Sequence, residues 1–257
     1  MKAHSLPAGA GWRWLTDAYA IFRKRPAQLL FVVSMYWIVI LLLNMIPLLG
    51  AIASAVAIPA LSVGVMNACR DLDEGRMPLP NTLFAALRGS HRNTLLILGV
   101  LYLVLTIAIL LSGSLIDGGD FSRYLMTGKR PAETALESGA PLFAALLIMS
   151  LLVPLMMAFW FGPMLAAWYR LPAIKALFFS LVACALNWRP FLVYGLALLV
   201  AIVVPFFLLG VVAQLLPQAA AVVGFVISLP MLLVLMPVVF VSFYVSFRDV
   251  FGVSELV

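Results

Sequence analysis

The sequence predicts an all-α polytopic membrane protein, and its composition, its hydropathy and its charge distribution all support this fold class. Hydrophobic residues make up 65% of the 257 positions, whereas charged residues make up only 10%. The mean hydropathy is +1.15. Because a soluble globular chain carries roughly a quarter charged residues, we expect this chain to lie in a lipid bilayer.

Six apolar runs are each long enough to cross the hydrocarbon core of a bilayer, which takes a helix of about 20 residues. None of them contains Asp, Glu, Lys, Arg or His, and each is apolar on every face. This pattern predicts six transmembrane helices. The predicted spans are Pro26–Ile46, Leu48–Cys69, Thr94–Ser112, Pro141–Trp168, Pro190–Gln214 and Ala219–Phe247.

The basic residues predict the orientation of these spans. Thirteen of the 16 lysines and arginines fall on one side when the six spans are threaded through a membrane. The opposite side receives the loop from Gly113 to Ala140, where four carboxylates outnumber three basic residues. Lys and Arg stay on the cytoplasmic side during insertion. Both termini are therefore expected in the cytoplasm, with residues 113–140 as a periplasmic loop.

The starts of the odd-numbered spans suggest an internal repeat. Pro26, Thr94 and Pro190 are 68 and 96 residues apart, and the difference of 28 equals the length of the loop 113–140. The spacing becomes regular once that loop is treated as an insertion. We predict one membrane domain, residues 1–257, built from three parallel helical hairpins in repeat-like units of about 1–69, 70–140 and 141–257.

An amphipathic interfacial helix is predicted before each hairpin. In the first, Arg13, Asp17 and Lys24 fall on one helical stripe, while Trp14 and Ile21 lie towards the opposite side. A polar and an apolar face at a period of 3.6 residues is the pattern of a helix that lies in the membrane interface.

The third of these segments has the weakest polar stripe, formed by Ala176, Ser180, Cys184 and Asn187 on an otherwise apolar helix. Basic residues in and beside the three segments are predicted to anchor the protein at the membrane surface, with membrane lipids and their anionic headgroups as partners. These predicted anchors are Arg13, Arg23, Lys24, Arg25, Arg88, Arg92, Lys175 and Arg189.

Small residues spaced by four recur within the spans. Such stripes let helices approach closely, and van der Waals contact then holds them together. Packing within the chain is the favoured interpretation, and contact with a second copy or with another membrane protein is the alternative. The predicted packing residues are Ala60, Gly64 and Ala68, then Ala158, Gly162 and Ala166, and finally Ala220, Gly224 and Ser228.

No catalytic or metal chemistry is predicted. The two histidines and two cysteines lack any ligand spacing, so neither a metal nor a cofactor is expected. The tight acidic cluster Asp71, Asp73 and Glu74 is flanked by arginines and is interpreted as a solvated loop. General acid–base chemistry needs positioned titratable groups, which the spans lack, so the protein is not expected to be an enzyme. The formal charge of +6 is spread beside the spans, so no nucleic-acid partner is expected.

Two segments carry a resemblance to a known family. The stretch GAGWRWLTDAYAIFRKRP (residues 9–26) and the stretch FWFGPMLAAWYRLPAIKALFFSLVACALNWRPFLVYG (residues 159–195) resemble proteobacterial inner-membrane proteins that have no assigned activity. More distantly, they are similar to the membrane domain of some glycerophosphodiester phosphodiesterases. The resemblance implies a six-helix inner-membrane protein, and it supplies no catalytic residues.

Three functions remain open at this point. The leading hypothesis is a non-enzymatic inner-membrane protein that organises or handles lipids or other membrane components. The second is a transporter or channel for an uncharged or apolar solute, with a midplane cavity lined by Asn67, Thr106 or Gln214. The third is an accessory subunit of a larger membrane complex, which the small-residue stripes suggest.

Overall fold

The structure is a computed structural model that describes residues 2–79, 81–128 and 137–252. Within these ranges the regular secondary structure is helical, without strands. Six helical spans are long and apolar enough to cross a membrane, and their ends lie within five residues of the predicted ends. The all-α polytopic fold is therefore confirmed. The spans are Pro26–Asn44, Leu49–Asp73, Arg92–Asp117, Ala140–Trp168, Trp188–Leu215 and Ala221–Phe251.

The helices are numbered in chain order over the described residues. A short 3-10 turn, Thr82–Phe84, precedes α4, and a π-helical segment, Met231–Leu235, separates α10 from α11. The helices are α1 (Ala10–Lys24), α2 (Pro26–Asn44), α3 (Leu49–Asp73), α4 (Ala85–Arg88), α5 (Arg92–Asp117), α6 (Asp120–Thr127), α7 (Ala140–Trp168), α8 (Ala173–Leu186), α9 (Trp188–Leu215), α10 (Ala220–Pro230) and α11 (Met236–Phe251).

The chain divides into two compact units. Unit 1 consists of Met1–Leu42, Leu61–Arg88 and Val182–Val257, and unit 2 consists of Leu43–Ala60 and Gly89–Leu181. Helices α2, α3 and α8 therefore contribute residues to both units. The single domain and its three hairpins stay predictions from the sequence.

In unit 1, α1 packs on α9 and α11 through its apolar face. Trp14 is fully buried, and its ring lies 5.1 Å from that of Phe191 and 6.0 Å from that of Tyr194. A Cβ on Gly11 would lie only 2.0 Å from the carbonyl oxygen of Pro190. Residue 11 must therefore be glycine for α1 to lie this close to α9. Whether α1 lies in the membrane interface stays a prediction.

In unit 2, α5 packs along α7, and it continues past its predicted end at Ser112. A Cβ on Gly113 would lie 2.4 Å from Cδ1 of Ile148, so this glycine permits the close contact that prolongs the helix. The helix ends at Asp117, whose carboxylate accepts the backbone N–H of Gly119 at 2.8 Å and that of Phe121 at 2.6 Å.

The predicted loop 113–140 is therefore partly helical. It contains the last turn of α5 and all of α6, which begins after two glycines with positive φ. Residues 129–136 of this loop lie outside the described residues, as do Pro80 and residues 253–257 at the C-terminal end.

The stripe predicted on α8 faces the protein and not water. Ala176, Ser180, Cys184 and Asn187 are all buried, whereas Phe178 on the same helix is 61% exposed. In unit 2, the Ser180 hydroxyl donates to the carbonyl oxygen of Met157 at 2.6 Å and accepts the N–H of Phe161 at 2.9 Å. Helices that contact lipid pack their small and polar residues inwards, because lipid offers no hydrogen bonds.

Candidate functional site

One concave feature of unit 1 is an apolar groove among the transmembrane helices. Helices α2, α9, α10, α11 and the π-helical segment surround it, and its volume is about 750 Å³. None of the described residues that line it is charged, and Ser228 supplies the one hydroxyl of the lining. Its aromatic walls are formed by Trp37, Phe206, Phe225, Phe240 and Phe243.

The groove is nearly as long as the hydrocarbon core of a bilayer is thick. Phe243 and Phe225 both line it, 18 residues apart along the last span. At 1.5 Å per residue this separation corresponds to roughly 27 Å, close to the thickness of a hydrocarbon core, about 30 Å. The aqueous phase therefore reaches little of its length, and hydrocarbon is its expected surrounding.

A break in the last span shapes one wall of the groove. Pro230 ends α10, and the backbone N–H of Met236 donates to the carbonyl oxygen of Met231, five residues earlier. Met231, Leu232 and Leu235 of this π-helical segment all line the groove. Single π-helical turns inside α-helices occur frequently at functional sites.

A second feature of unit 1 is an ion-pair cluster centred on Arg248. Its guanidinium lies 3.0 Å from Oδ2 of Asp73, 3.6 Å from Oδ2 of Asp17 and 3.3 Å from Oδ1 of Asp249. The Tyr244 hydroxyl also donates to Asp73, at 3.0 Å. These contacts join α1, α3 and α11, and this cluster is therefore structural.

The predicted acidic cluster is paired in a similar way. Arg70 contacts Glu74 at 2.9 Å, and Arg76 contacts Asp71 at 2.9 Å and also pairs with Glu74. The hydrogen bond from Arg70 holds the pKa of the Glu74 carboxyl below its usual value. Asp71 and Asp73 belong to the last turn of α3 and not to a loop, because these ion pairs let the helix continue past Cys69.

Many basic residues of unit 1 take no part in these ion pairs. Its described carboxylates are all paired with Arg70, Arg76 or Arg248. For the remaining lysines and arginines of unit 1, no carboxylate among residues 2–79, 81–88 and 182–252 lies within ion-pair distance. These cations are Lys2, Arg13, Arg23, Lys24, Arg25, Arg88 and Arg189.

All of the predicted surface anchors have exposed side chains, including Arg92 and Lys175 of unit 2. Two of them lie over aromatic rings. The Arg23 guanidinium is 5.8 Å from the ring centre of Tyr19, and the Arg189 guanidinium is 5.4 Å from that of Trp188. Whether they touch a membrane surface stays a prediction.

Two of the three small-residue stripes pack within the chain. Ala60, Gly64 and Ala68 are buried, and a Cβ on Gly64 would lie 2.1 Å from the carbonyl oxygen of Leu83. In the second stripe Gly162 and Ala166 are buried and Ala158 is half-buried.

The third stripe is packed less tightly. Gly224 is half-buried, and Ser228 is exposed in the groove. The packing of the Ala220 side chain lies outside what the structure describes.

Sequence reasoning missed two parts of unit 1: the groove and the role of Asn187. The Asn187 side chain is fully buried and donates to the carbonyl oxygens of His4 at 3.0 Å and Ala183 at 2.9 Å. Its Oδ1 accepts the N–H of Leu6 at 2.9 Å. The sequence signal for this role was Asn187 itself, a single amide side chain between two apolar segments. No sequence pattern indicated the groove, because its lining is as apolar as any lipid-facing surface.

These features define a polytopic integral membrane protein. The chain is 33% identical to a probable inner membrane protein of Burkholderia thailandensis, over 99% of this chain and 96% of that protein. It therefore belongs to the same family and is a multi-pass protein of the inner membrane. No family model matches the chain, and no solved structure matches it.

Proposed function

We propose that this chain is a non-enzymatic inner-membrane protein that handles lipids by binding a lipid hydrocarbon chain in the groove of unit 1. The observation that carries the proposal is the groove itself, with its volume of about 750 Å³ and uncharged lining. Small-molecule sites have volumes of roughly 300–1,000 Å³. Water does not stably fill an apolar site that offers it few polar partners, so an acyl chain is the ligand that fits.

The binding energy must come from packing. An acyl chain that leaves the bilayer for the groove exchanges one apolar environment for another, so the hydrophobic effect contributes little. Selectivity then depends on van der Waals contact with the groove walls. The rigid rings of Trp37, Phe206 and Phe225 offer large contact areas at a small loss of side-chain entropy. We therefore expect a lipid that exchanges and is not permanently held.

Photo-crosslinking tests this proposal. The full-length protein is reconstituted in bilayers that contain a phospholipid with a diazirine on its acyl chain, and labelled residues are located by mass spectrometry. We expect labelling to concentrate at Ile202, Phe206 and Leu232. Leu105 and Val153 of unit 2 are also exposed and apolar, and serve as the reference. Equal labelling of both sets would contradict the proposal.

A matched pair of variants sharpens the test. Ser228→Trp places a large ring in the groove, whereas Val222→Trp adds the same ring at a residue of α10 that is exposed and does not line it. Ser228→Trp is expected to reduce labelling of Ile202 and Phe206, while Val222→Trp leaves it unchanged. A loss of labelling in both variants would indicate a general effect of the new ring and not occupation of the groove.

The transport hypothesis receives less support. Asn67 and Gln214 of unit 1 do not belong to the groove lining, and Gln214 is exposed near the end of α9. Thr106 belongs to unit 2, where its hydroxyl is buried without a hydrogen-bond partner among the described residues.

A further inference from the structure

We infer that the lipid of the groove is an anionic phospholipid whose phosphate binds at Arg189, beside Trp188, while its chain lies against Ile202 and Phe206. This inference rests on the proposed function and adds the headgroup chemistry and the leaflet. The leaflet is the one at the Trp188 end of α9, which the charge distribution predicts to be cytoplasmic.

One face of α9 connects the groove with this end of the helix. Trp188, Gly195, Ile202 and Phe206 are spaced by seven, seven and four residues, so they lie on the same helical face. All four are exposed, and the last two line the groove. A Cβ on Gly195 would have no atom within 4 Å. A lipid therefore meets no obstruction along this face.

The distance along α9 fits a single lipid molecule. Arg189 and Ile202 are 13 residues apart, which is roughly 20 Å of helix. A bilayer with its headgroups is about 40–45 Å thick, so one leaflet measures about half of that. A phosphate at Arg189 would therefore place the end of its acyl chain near Ile202 and Phe206, inside the groove.

The chemistry at Arg189 suits a phosphate. Its guanidinium is exposed and lies 5.4 Å from the ring centre of Trp188. This cation–π geometry orients the N–H donors of the guanidinium. Among the described residues no carboxylate lies within ion-pair distance of it. Arginine binds phosphate oxygens in pairs, and tryptophan is enriched at the level of the headgroups.

The positive charge of Arg189 favours an anionic lipid. The described carboxylates of unit 1 are paired with Arg70, Arg76 or Arg248, so none of them neutralises Arg189 through an ion pair. Attraction by juxtamembrane basic residues acts within a Debye length of the anionic surface. A zwitterionic lipid offers the same phosphate but no net charge, so we expect it to bind more weakly.

The test compares two diazirine probes, phosphatidylglycerol and phosphatidylcholine, in bilayers of otherwise identical composition. The variant is Arg189→Gln, and the control is Arg23→Gln, which removes another exposed arginine that also lies over an aromatic ring. We expect Arg189→Gln to lower phosphatidylglycerol labelling of Ile202 and Phe206 about fivefold, which corresponds to about 1 kcal/mol for one basic residue at an anionic surface. Arg23→Gln should leave this labelling within twofold of the wild type on the same scale.

The outcomes separate this inference from the proposed function. If both probes label the groove equally and Arg189→Gln changes neither, the chain-binding groove stands and the Arg189 site is wrong. If neither probe labels the groove above the reference residues, the proposed function fails and this inference fails with it. Arg189→Lys, which keeps the charge but loses the paired donors, should retain more phosphatidylglycerol labelling than Arg189→Gln.

Discussion

At the scale of single residues, Gly11 sets how closely α1 approaches α9. A Cβ there would lie 2.0 Å from the Pro190 carbonyl oxygen and 2.8 Å from the backbone nitrogen of Tyr194, and backbone atoms cannot move aside. We expect Gly11→Ala to lower the free energy of unfolding by roughly 1–3 kcal/mol, the usual cost of overpacking. Unfolding in mild detergent, followed by circular dichroism, measures this change. Gly9→Ala is the control, because nothing lies within 4 Å of its Cβ position.

Arg248 is the second residue with a specific expected effect. Its replacement by Gln removes the cation shared by Asp17, Asp73 and Asp249 and leaves three neighbouring carboxylates without it. The Arg248 side chain is 26% exposed, so the loss should lie between that of a surface pair and that of a buried pair, about 1–2 kcal/mol. Arg25→Gln is a suitable control, since Arg25 is exposed and has no carboxylate within ion-pair distance in the described chain. Equal stability of the two variants would argue against the cluster.

At the scale of elements, Asn187 ties the segment before α1 to the junction of α8 and α9. It bonds His4 and Leu6, and the N–H of His4 also donates to Val250 at the end of α11, at 2.8 Å. Asn187→Asp would set a carboxylate against the carbonyl oxygens of His4 and Ala183. We expect faster hydrogen exchange of the amides of residues 3–6, measured by mass spectrometry.

A control for this exchange experiment is Asn81→Asp. Asn81 is exposed, and its side chain makes no capping hydrogen bond. Unchanged exchange at residues 3–6 in Asn187→Asp would show that the amide does not hold this segment.

The elements also show how far sequence reasoning reaches. The span from Ala140 to Trp168 is predicted to within one residue, because a long apolar run without charge has one stable environment. The ends of α3 and α5 are missed, since they depend on the Arg70–Glu74 ion pair and on the contact of Gly113 with Ile148.

The faces of the helices are harder to predict than their existence. Both lipid and protein interior accept apolar side chains, so the pattern of α9 does not reveal which side lines the groove. On α8 the difficulty is that a polar stripe does not show whether it faces water or the protein interior. Its polar residues suggested contact with water, yet Ser180 and Asn187 are buried because the protein alone offers them hydrogen bonds.

At the scale of the whole molecule, an even number of spans predicts both termini on one side of the membrane, and the charges predict that this side is the cytoplasm. Cys69 and Cys184 are both buried, so a membrane-impermeant maleimide should label the natural protein weakly. We expect Thr127→Cys to be labelled in cells with a permeable outer membrane and an intact inner membrane. Lys2→Cys should be labelled only after the inner membrane is opened. Labelling of both in intact cells would overturn the orientation.

The packing of α1 on α11 has a consequence for biosynthesis. Helix α1 leaves the ribosome well before α11, which is one of its partners within unit 1. The 211 residues between Lys24 and Met236 take on the order of ten to forty seconds to translate. During that time the side of α1 that packs on α11 lacks this cover. The nascent chain must therefore shelter this side at the membrane or with a chaperone, and a ribosome that stalls before α11 would leave it open to quality-control proteases.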